Sequence, residues 1–330
     1  MNRRWIVRAC AVAFCASVLL SLASYRHAYR MTHFLEHGQA TASPGDLGAL
    51  EKAATLVSGV VLPRPRNTRT PGELDLAFET VHFPSADGLL LEGWWIARPG
   101  ALPDGELART ALLFHGYGAS RQSLLEEARE LWQLGFGVLL VDLRGAGGSE
   151  GTTTTLGWDE ARDVSGALRF AREHLGSQRV LLYGASMGAV AVLRALAQED
   201  LGDLQIHALI LEAPFNSLLD TTSNRFHQMG LPAFPCAHLL VFWGGRQHGF
   251  DAFEHNPEQY IASVTQPALL LFGSADPDVT AADARALAAR APAIVTSVTF
   301  AGAGHPRLLP QQPQRWRREV RAFVARAFAR

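Results

Sequence analysis

The run RVLLYGASMGAVAVLRAL, Arg179 to Leu196, decides the fold. Val180 to Tyr183 is a short apolar stretch suited to an interior strand, and Ala189 to Leu196 is rich in small residues and leucine, as a closely packed helix requires. Between them Gly184-Ala185-Ser186-Met187-Gly188 matches G-x-S-x-G. A tight strand-to-helix turn of this kind holds its serine in a strained conformation, with the hydroxyl projecting above the sheet edge. Ser186 is therefore the candidate nucleophile. A second match, Gly147 to Gly151 around Ser149, lacks the context: no apolar run directly precedes it, and Thr152 to Thr155 follow.

The same rhythm extends in both directions. Ala111 to Phe114, Val138 to Val141, Ala208 to Leu211, Ala268 to Phe272 and Val295 to Phe300 are further strand-like runs, separated mostly by helical stretches such as Leu124 to Leu134 and Trp158 to Leu175. Near-continuous apolar strands alternating with helices predict an α/β domain with a mainly parallel sheet covered on both faces. Ahead of them, Leu74 to Phe83 and Leu89 to Ala97 flank Pro84-Ser85-Ala86-Asp87-Gly88, which predicts a strand hairpin. The catalytic domain is expected over 73–330. Residues 215–264 interrupt its rhythm with an aromatic-rich insertion, long enough to be read as a small helical cap.

The N-terminus has a different composition. Arg3, Arg4 and Arg8 precede an uncharged apolar segment from Ala9 to Tyr25, and Arg26 and Arg30 follow it. Residues 1–30 are expected to be a single-pass membrane anchor, with Arg8 snorkelling and the catalytic domain extracytoplasmic. The alternative is a cleaved signal peptide, for which Ser21 and Ala23 supply small residues, giving a secreted or periplasmic domain. Residues 31–72, with PRPRNTRTPG at Pro63 to Gly72, read as a linker in which Arg64, Arg66 and Arg69 are solvated. Leu47 to Val61 is expected to contain a short helix.

A formal net charge of -1 over 330 residues offers no field for nucleic acid, and none is expected as a partner. Cys10 and Cys15 lie in the apolar N-terminal run, leaving Cys236 alone in the globular part without a disulfide partner.

A serine nucleophile needs a base within hydrogen-bond reach and a third group to orient that base. Gly302-Ala303-Gly304-His305 directly follows the last strand-like run, which makes His305 the best base among twelve histidines. His115, His227, His248 and His255 are its competitors. Asp276, in Gly273-Ser274-Ala275-Asp276-Pro277-Asp278, lies between nucleophile and base in the order Ser, Asp, His and is the candidate acid. Asp278 is its near rival and Glu212 its distant one, and an N-cap for a helix around Ala281 to Ala291 is the other use for either aspartate, better suited to Asp278. The oxyanion of an acyl-transfer intermediate calls for backbone amides, which Met187 and Tyr117, the latter in His115-Gly116-Tyr117-Gly118, can supply.

Taken together, HGYG at His115, DLRGAGGS at Asp142, GASMG at Gly184, GSAD at Gly273 and GAGH at Gly302 resemble the α/β-hydrolase superfamily from about Leu74 onward. The branch most similar contains membrane-anchored serine hydrolases near the lysophospholipases, monoacylglycerol lipases and acyl-thioesterases. The resemblance implies an eight-stranded, mostly parallel sheet with helices on both faces, and a triad of Ser186, Asp276 and His305. It also implies a small-molecule or lipid-like acyl ester substrate and no metal or organic cofactor. A peptidase would use the same triad, and a non-catalytic binding protein would be expected to lose one of its members. Two departures stand out: HGYG replaces the HGGG of many esterases, so one loop donor is expected and bulky tertiary esters are disfavoured, and Thr280 stands where many relatives carry proline. A serine nucleophile also excludes the branches that dehalogenate or open epoxides with an aspartate.

Overall fold

The computed structural model describes residues 3–42, 45–101, 107–199, 201, 206–291 and 293–329; Met1 and Asn2 of the expected anchor lie outside these. In chain order the helices are α1 (Arg3–Thr32), α2 (Ala49–Ser58), α3 (Leu125–Gln133), α4 (Glu160–His174), α5 (Met187–Gln198), α6 (Leu218–Gln228), α7 (Cys236–His248), α8 (Pro257–Tyr260), α9 (Ala281–Ala289), α10 (Leu308–Gln311) and α11 (Pro313–Ala327). The strands are β1 (Glu79–Pro84), β2 (Leu90–Ile96), β3 (Arg109–Phe114), β4 (Gly137–Val141), β5 (Arg179–Ala185), β6 (Ile206–Glu212), β7 (Ala268–Gly273) and β8 (Val295–Phe300). They fall into two compact units, Met1–Pro63 with Leu218–His255, and Arg64–Ser217 with Asn256–Arg330.

The larger unit holds one eight-stranded sheet in the order β1-β2-β4-β3-β5-β6-β7-β8. β1 and β2 run antiparallel and β2 joins β4 antiparallel, while β4, β3, β5, β6, β7 and β8 are mutually parallel. β4 and β7 are buried along their whole length, which is why they carry continuous apolar runs instead of alternation. On one face Leu113, Leu140, Leu181 and Ile210 pack with Leu131 of α3 and with Trp316 and Phe323 of α11. α4 and α5 pack against each other and against β1, β3 and β5.

Three sequence expectations need correction in this unit. Arg66 and Arg69 are exposed as expected, but Arg64 is not a solvated linker residue: its guanidinium donates to the carbonyl of Gly151 at 2.9 Å and to that of Ser149, and the neighbouring Pro65 accepts the Gly147 N–H at 2.8 Å. The expected strand from Leu74 starts only at Glu79, because Pro71–Leu74 forms a 3-10 turn that ends on Asp75 at φ 57°. Thr280, not Asp278, caps α9, its hydroxyl accepting the Asp283 N–H at 3.2 Å.

The smaller unit joins α1 and α2 to α6 and α7. Its inserted segment, narrower than the expected 215–264, is closed at its own base, where the Leu218 N–H donates to the His255 carbonyl at 3.2 Å. Ala28 of α1, Phe226 of α6 and Ala237 and Leu240 of α7 form its buried apolar centre.

Candidate active site

β5 ends at Ala185 and α5 begins at Met187, so the whole turn is one residue. Ser186 pays for this with φ 49° and ψ -114°, a region that costs a non-glycine residue on the order of 1–3 kcal/mol. The turn is held from both sides: the Ser186 N–H donates to the Glu212 carbonyl at 2.7 Å, and the Ser186 carbonyl accepts the Ala189 N–H at 2.9 Å. Gly188 is required for close approach, since a Cβ there would meet the Phe114 carbonyl oxygen at 2.2 Å.

The candidate base, His305, lies on the loop after β8. His305 Nε2 lies 2.9 Å from Ser186 Oγ, and its Nδ1 lies 2.6 Å from Asp276 Oδ2. Asp276 is fixed in turn: its other oxygen accepts the N–H groups of Asp278 at 2.8 Å and Val279 at 2.9 Å, leaving Oδ2 for the imidazole. Gly273 allows the acid loop and the histidine loop to touch, because a Cβ there would lie 2.2 Å from the Ala303 carbonyl oxygen. The Asp276 side chain is fully buried, and that of His305 is partly exposed.

The two residues proposed to supply oxyanion amides come from different segments, Met187 from the β5–α5 turn and Tyr117 from the loop after β3. Met187 is the first residue of α5, where helical N–H groups have no partner within the helix. Gly116, next to Tyr117, comes close enough that a Cβ on it would fall 3.5 Å from that of Ser186.

The competitors go elsewhere. His115 is buried; its Nδ1 faces the Gly116 carbonyl at 2.9 Å and its Nε2 accepts the Leu143 N–H at 3.0 Å, a pairing that fits a neutral ring. Burial lowers its pKa, although Asp142 pulls the other way. Ser149 is buried too, donating to the Asp142 carbonyl at 2.6 Å and accepting the Glu92 N–H at 2.8 Å. His227, His248 and His255 belong to the smaller unit.

Glu212 has a role that its position at the end of an apolar strand only hinted at. One carboxylate oxygen accepts the indole N–H of Trp316 at 2.6 Å, and the other accepts the backbone N–H groups of Arg307 at 3.1 Å and Leu308 at 3.2 Å. Burial raises its pKa, and these donors oppose the rise. Nearby Glu127 has its pKa raised by burial and then by the Glu212 charge. Neither Glu127 oxygen has a hydrogen-bond partner among the described residues. Beside the elbow, Glu160 gathers the hydroxyls of Thr154 and Thr155 and the N–H groups of Thr155 and Gly157, within 3.0 Å. Among the described residues, no cluster of His, Cys, Asp or Glu could hold a metal ion.

The model of a hydrolase family described as serine aminopeptidase, S33, matches residues 105–260, a stretch that includes Ser186 and ends before Asp276 and His305. The esterase Pf2001 of Pyrococcus furiosus is similar in structure, with a TM-score of 0.65 and 26% identity over 80% of this chain and 96% of that one. The fold is that of the α/β hydrolases. The uncharacterized protein YfhR of Escherichia coli O157:H7 is 30% identical over 201 residues, which are 60% of this chain and 63% of that protein's length. The uncharacterized protein MT2364 of Mycobacterium tuberculosis (strain CDC 1551 / Oshkosh) is 29% identical over 248 residues, 72% of this chain and 75% of its own. A puromycin-hydrolyzing peptidase of Mycobacterium tuberculosis shares the fold at 20% identity and a TM-score of 0.60, with 76% of this chain and 40% of that chain covered. These likenesses support an α/β-class hydrolase.

Proposed function

We propose that this chain is a serine hydrolase that cleaves carboxylic esters or thioesters of apolar acyl groups, anchored in a membrane by its N-terminal helix. One observation carries the chemical reading: the hydrogen-bonded series from Ser186 Oγ through His305 to Asp276, at 2.9 and 2.6 Å. Ser186 Oγ attacks the acyl carbon while His305 Nε2 takes its proton, and the carbonyl oxygen becomes an oxyanion met by the Met187 and Tyr117 amides. The intermediate collapses, and His305 returns the proton to the departing alcohol or thiol. Water then attacks the acyl-enzyme with His305 again as base, releasing the acid and restoring the Ser186 hydroxyl. Asp276 holds the ring so that Nε2 faces the serine, and it stabilises the imidazolium of each intermediate.

The reading is tested with a fluorophosphonate probe on the full chain. Wild type labels, and Ser186→Ala does not while keeping the same thermal midpoint. Labelling of the alanine variant would sink the assignment.

A second reading, a peptidase, is favoured by the serine aminopeptidase description of the matching family model. Rates on matched ester, thioester and amide substrates of increasing acyl length separate the two, because a peptidase hydrolyses the amide as its preferred substrate.

The anchor reading is supported by the composition of α1, a 30-residue helix that is long and apolar enough to cross a bilayer. Resistance to carbonate extraction, with the catalytic domain cleaved by protease added to spheroplasts, is the expected behaviour of an anchored, extracytoplasmic enzyme.

A further inference from the structure

The two halves of α1 differ. From Arg3 to Leu19 every residue is exposed, including Trp5, Val12, Phe14 and Leu19, although the sequence there is apolar. From Leu20 onward one stripe is covered: Ser24, Ala28 and Thr32 are buried at the four-residue spacing of a single helix face. α7 of the inserted segment packs along this part of α1, and Ala28 lies with Phe226 of α6 and with Ala237 and Leu240 of α7. The Trp243 indole N–H donates to Ser21 Oγ at 3.0 Å, and its ring meets Tyr25 edge-on with centroids 5.3 Å apart. The Gln247 side-chain amide donates to the Tyr25 carbonyl at 2.8 Å.

Length decides where this contact lies. The bare stretch from Trp5 to Leu19 is about 22 Å long at 1.5 Å per residue, shorter than a hydrocarbon core of about 30 Å. A span needs about 20 residues. Counted from Trp5, such a span ends at about Ser24, between the two α1 residues that Trp243 touches. The junction of α1 with α7 therefore coincides with the membrane boundary, the level at which tryptophan and tyrosine are favoured.

α7 itself is two-sided. Ala237, Leu240, Val241 and Gly245 are buried, whereas Phe242 and, one turn later, Arg246 are exposed on the opposite side. A groove of about 350 Å³ beside them is walled by Phe242, Phe250 and Phe253, with Arg246 on its lining. Phe234, in the turn leading into α7, is exposed as well. An aromatic side chain and an arginine one turn apart, next to a membrane exit, match the acyl and phosphate layers of a lipid surface.

We propose that α7 is a membrane-docking helix: Phe242 enters the boundary between acyl chains and headgroups of the bilayer that α1 spans, with Arg246 at the phosphates. The N-terminal helix is then retained, because cleavage near Ser21 to Ala23 would remove the span and leave Tyr25 and Ala28 packed on α7 at a new chain end. The cap of this enzyme is thereby held at the lipid surface, where an apolar ester is concentrated. This rests on the anchor reading above and is independent of the triad.

The test uses the full chain with Cys10, Cys15 and Cys236 replaced by alanine, reconstituted into phosphatidylcholine vesicles containing phosphatidylglycerol. Single cysteines, Phe242→Cys, Arg246→Cys and, as a reference inside the span, Leu22→Cys, carry an environment-sensitive fluorophore. Lipids with a doxyl group high on the acyl chain are expected to quench the labels at 242 and 246 at least half as strongly as the label at 22. Quenching at 22 with none at 242 and 246 would leave α1 in the bilayer and overturn the docking of α7. Absence of quenching at all three would overturn the anchor as well. Fluorophosphonate labelling of the same samples reports the hydrolase reading separately.

Discussion

The carboxylate of Glu212 accepts the backbone N–H of Arg307 at 3.1 Å, two residues beyond the catalytic histidine proposed above, while its own carbonyl accepts the N–H of Ser186 at 2.7 Å. One residue at the end of β6 thus touches both the turn that holds Ser186 and the loop that carries His305. Glutamine at this position keeps one acceptor oxygen and turns an NH2 group toward a donor, so either Trp316 or the pair Arg307 and Leu308 loses its acceptor. Glu212→Gln is expected to shift the His305 loop and lower kcat about 100-fold, the scale of a displacement near 1 Å, with KM little changed. Steady-state kinetics on a soluble aryl ester check it; wild-type kcat would show that Glu212 positions nothing.

Asp276→Asn tests the other support of the histidine. The asparagine oxygen remains with the Asp278 and Val279 amides, so its NH2 group faces His305 Nδ1 and selects the tautomer whose Nε2 carries the hydrogen. That ring can no longer take the Ser186 proton. A loss in kcat of about 10⁴-fold is expected with an unchanged melting temperature.

Glu127 makes stability depend on pH in a defined direction. Its pKa is raised in the fold, so the folded chain binds a proton that the unfolded chain releases once pH exceeds the ordinary glutamate range. The stability this proton supplies is complete in acid and is lost as pH rises through the raised value. Glu127→Gln is expected to melt higher than wild type at pH 9 and to flatten the decline of wild-type stability above pH 5. Thermal melts across that range decide, and parallel curves for the two proteins would refute the argument.

Gly188→Ala places a methyl group 2.2 Å from the Phe114 carbonyl oxygen and 2.6 Å from that of His115, both backbone atoms that cannot yield like a flexible side chain. The expected result is a loss of at least about 3 kcal/mol, at the upper end of overpacking costs, together with loss of probe labelling. A soluble variant with wild-type melting and labelling would contradict this geometry.

How far the sequence reveals these arrangements depends on the separation of the partners. The β5–α5 turn is legible because its strand, its turn and its helix are contiguous, and the parallel sheet follows from strands buried on both faces. The 3-10 turn at Pro71 was also legible in principle: Thr70 and Glu73 have capping-box spacing, and the Thr70 N–H donates to Glu73 at 3.2 Å. Composition hid it, since the same residues resemble a linker. The attachment of Arg64 had no local signal, because its acceptors are carbonyls of a loop more than eighty residues away. Glu212 reads as an acid ending a strand, yet the donors that define its role come from Arg307, Leu308 and Trp316, which only the closed fold brings near.

The packing of α1 on α7 sets an order of events during synthesis. α1 emerges from the ribosome first, but Cys236 follows Thr32 by about 200 residues, roughly 10–40 s later at typical elongation rates. Throughout that interval the stripe of Ser24, Ala28 and Thr32 has no α7 to cover it, while β1 to β6 are being made. On the proposed anchor reading, membrane insertion of α1 precedes assembly of its unit, and the lipid surface is in place before α7, the last helix of that unit, settles.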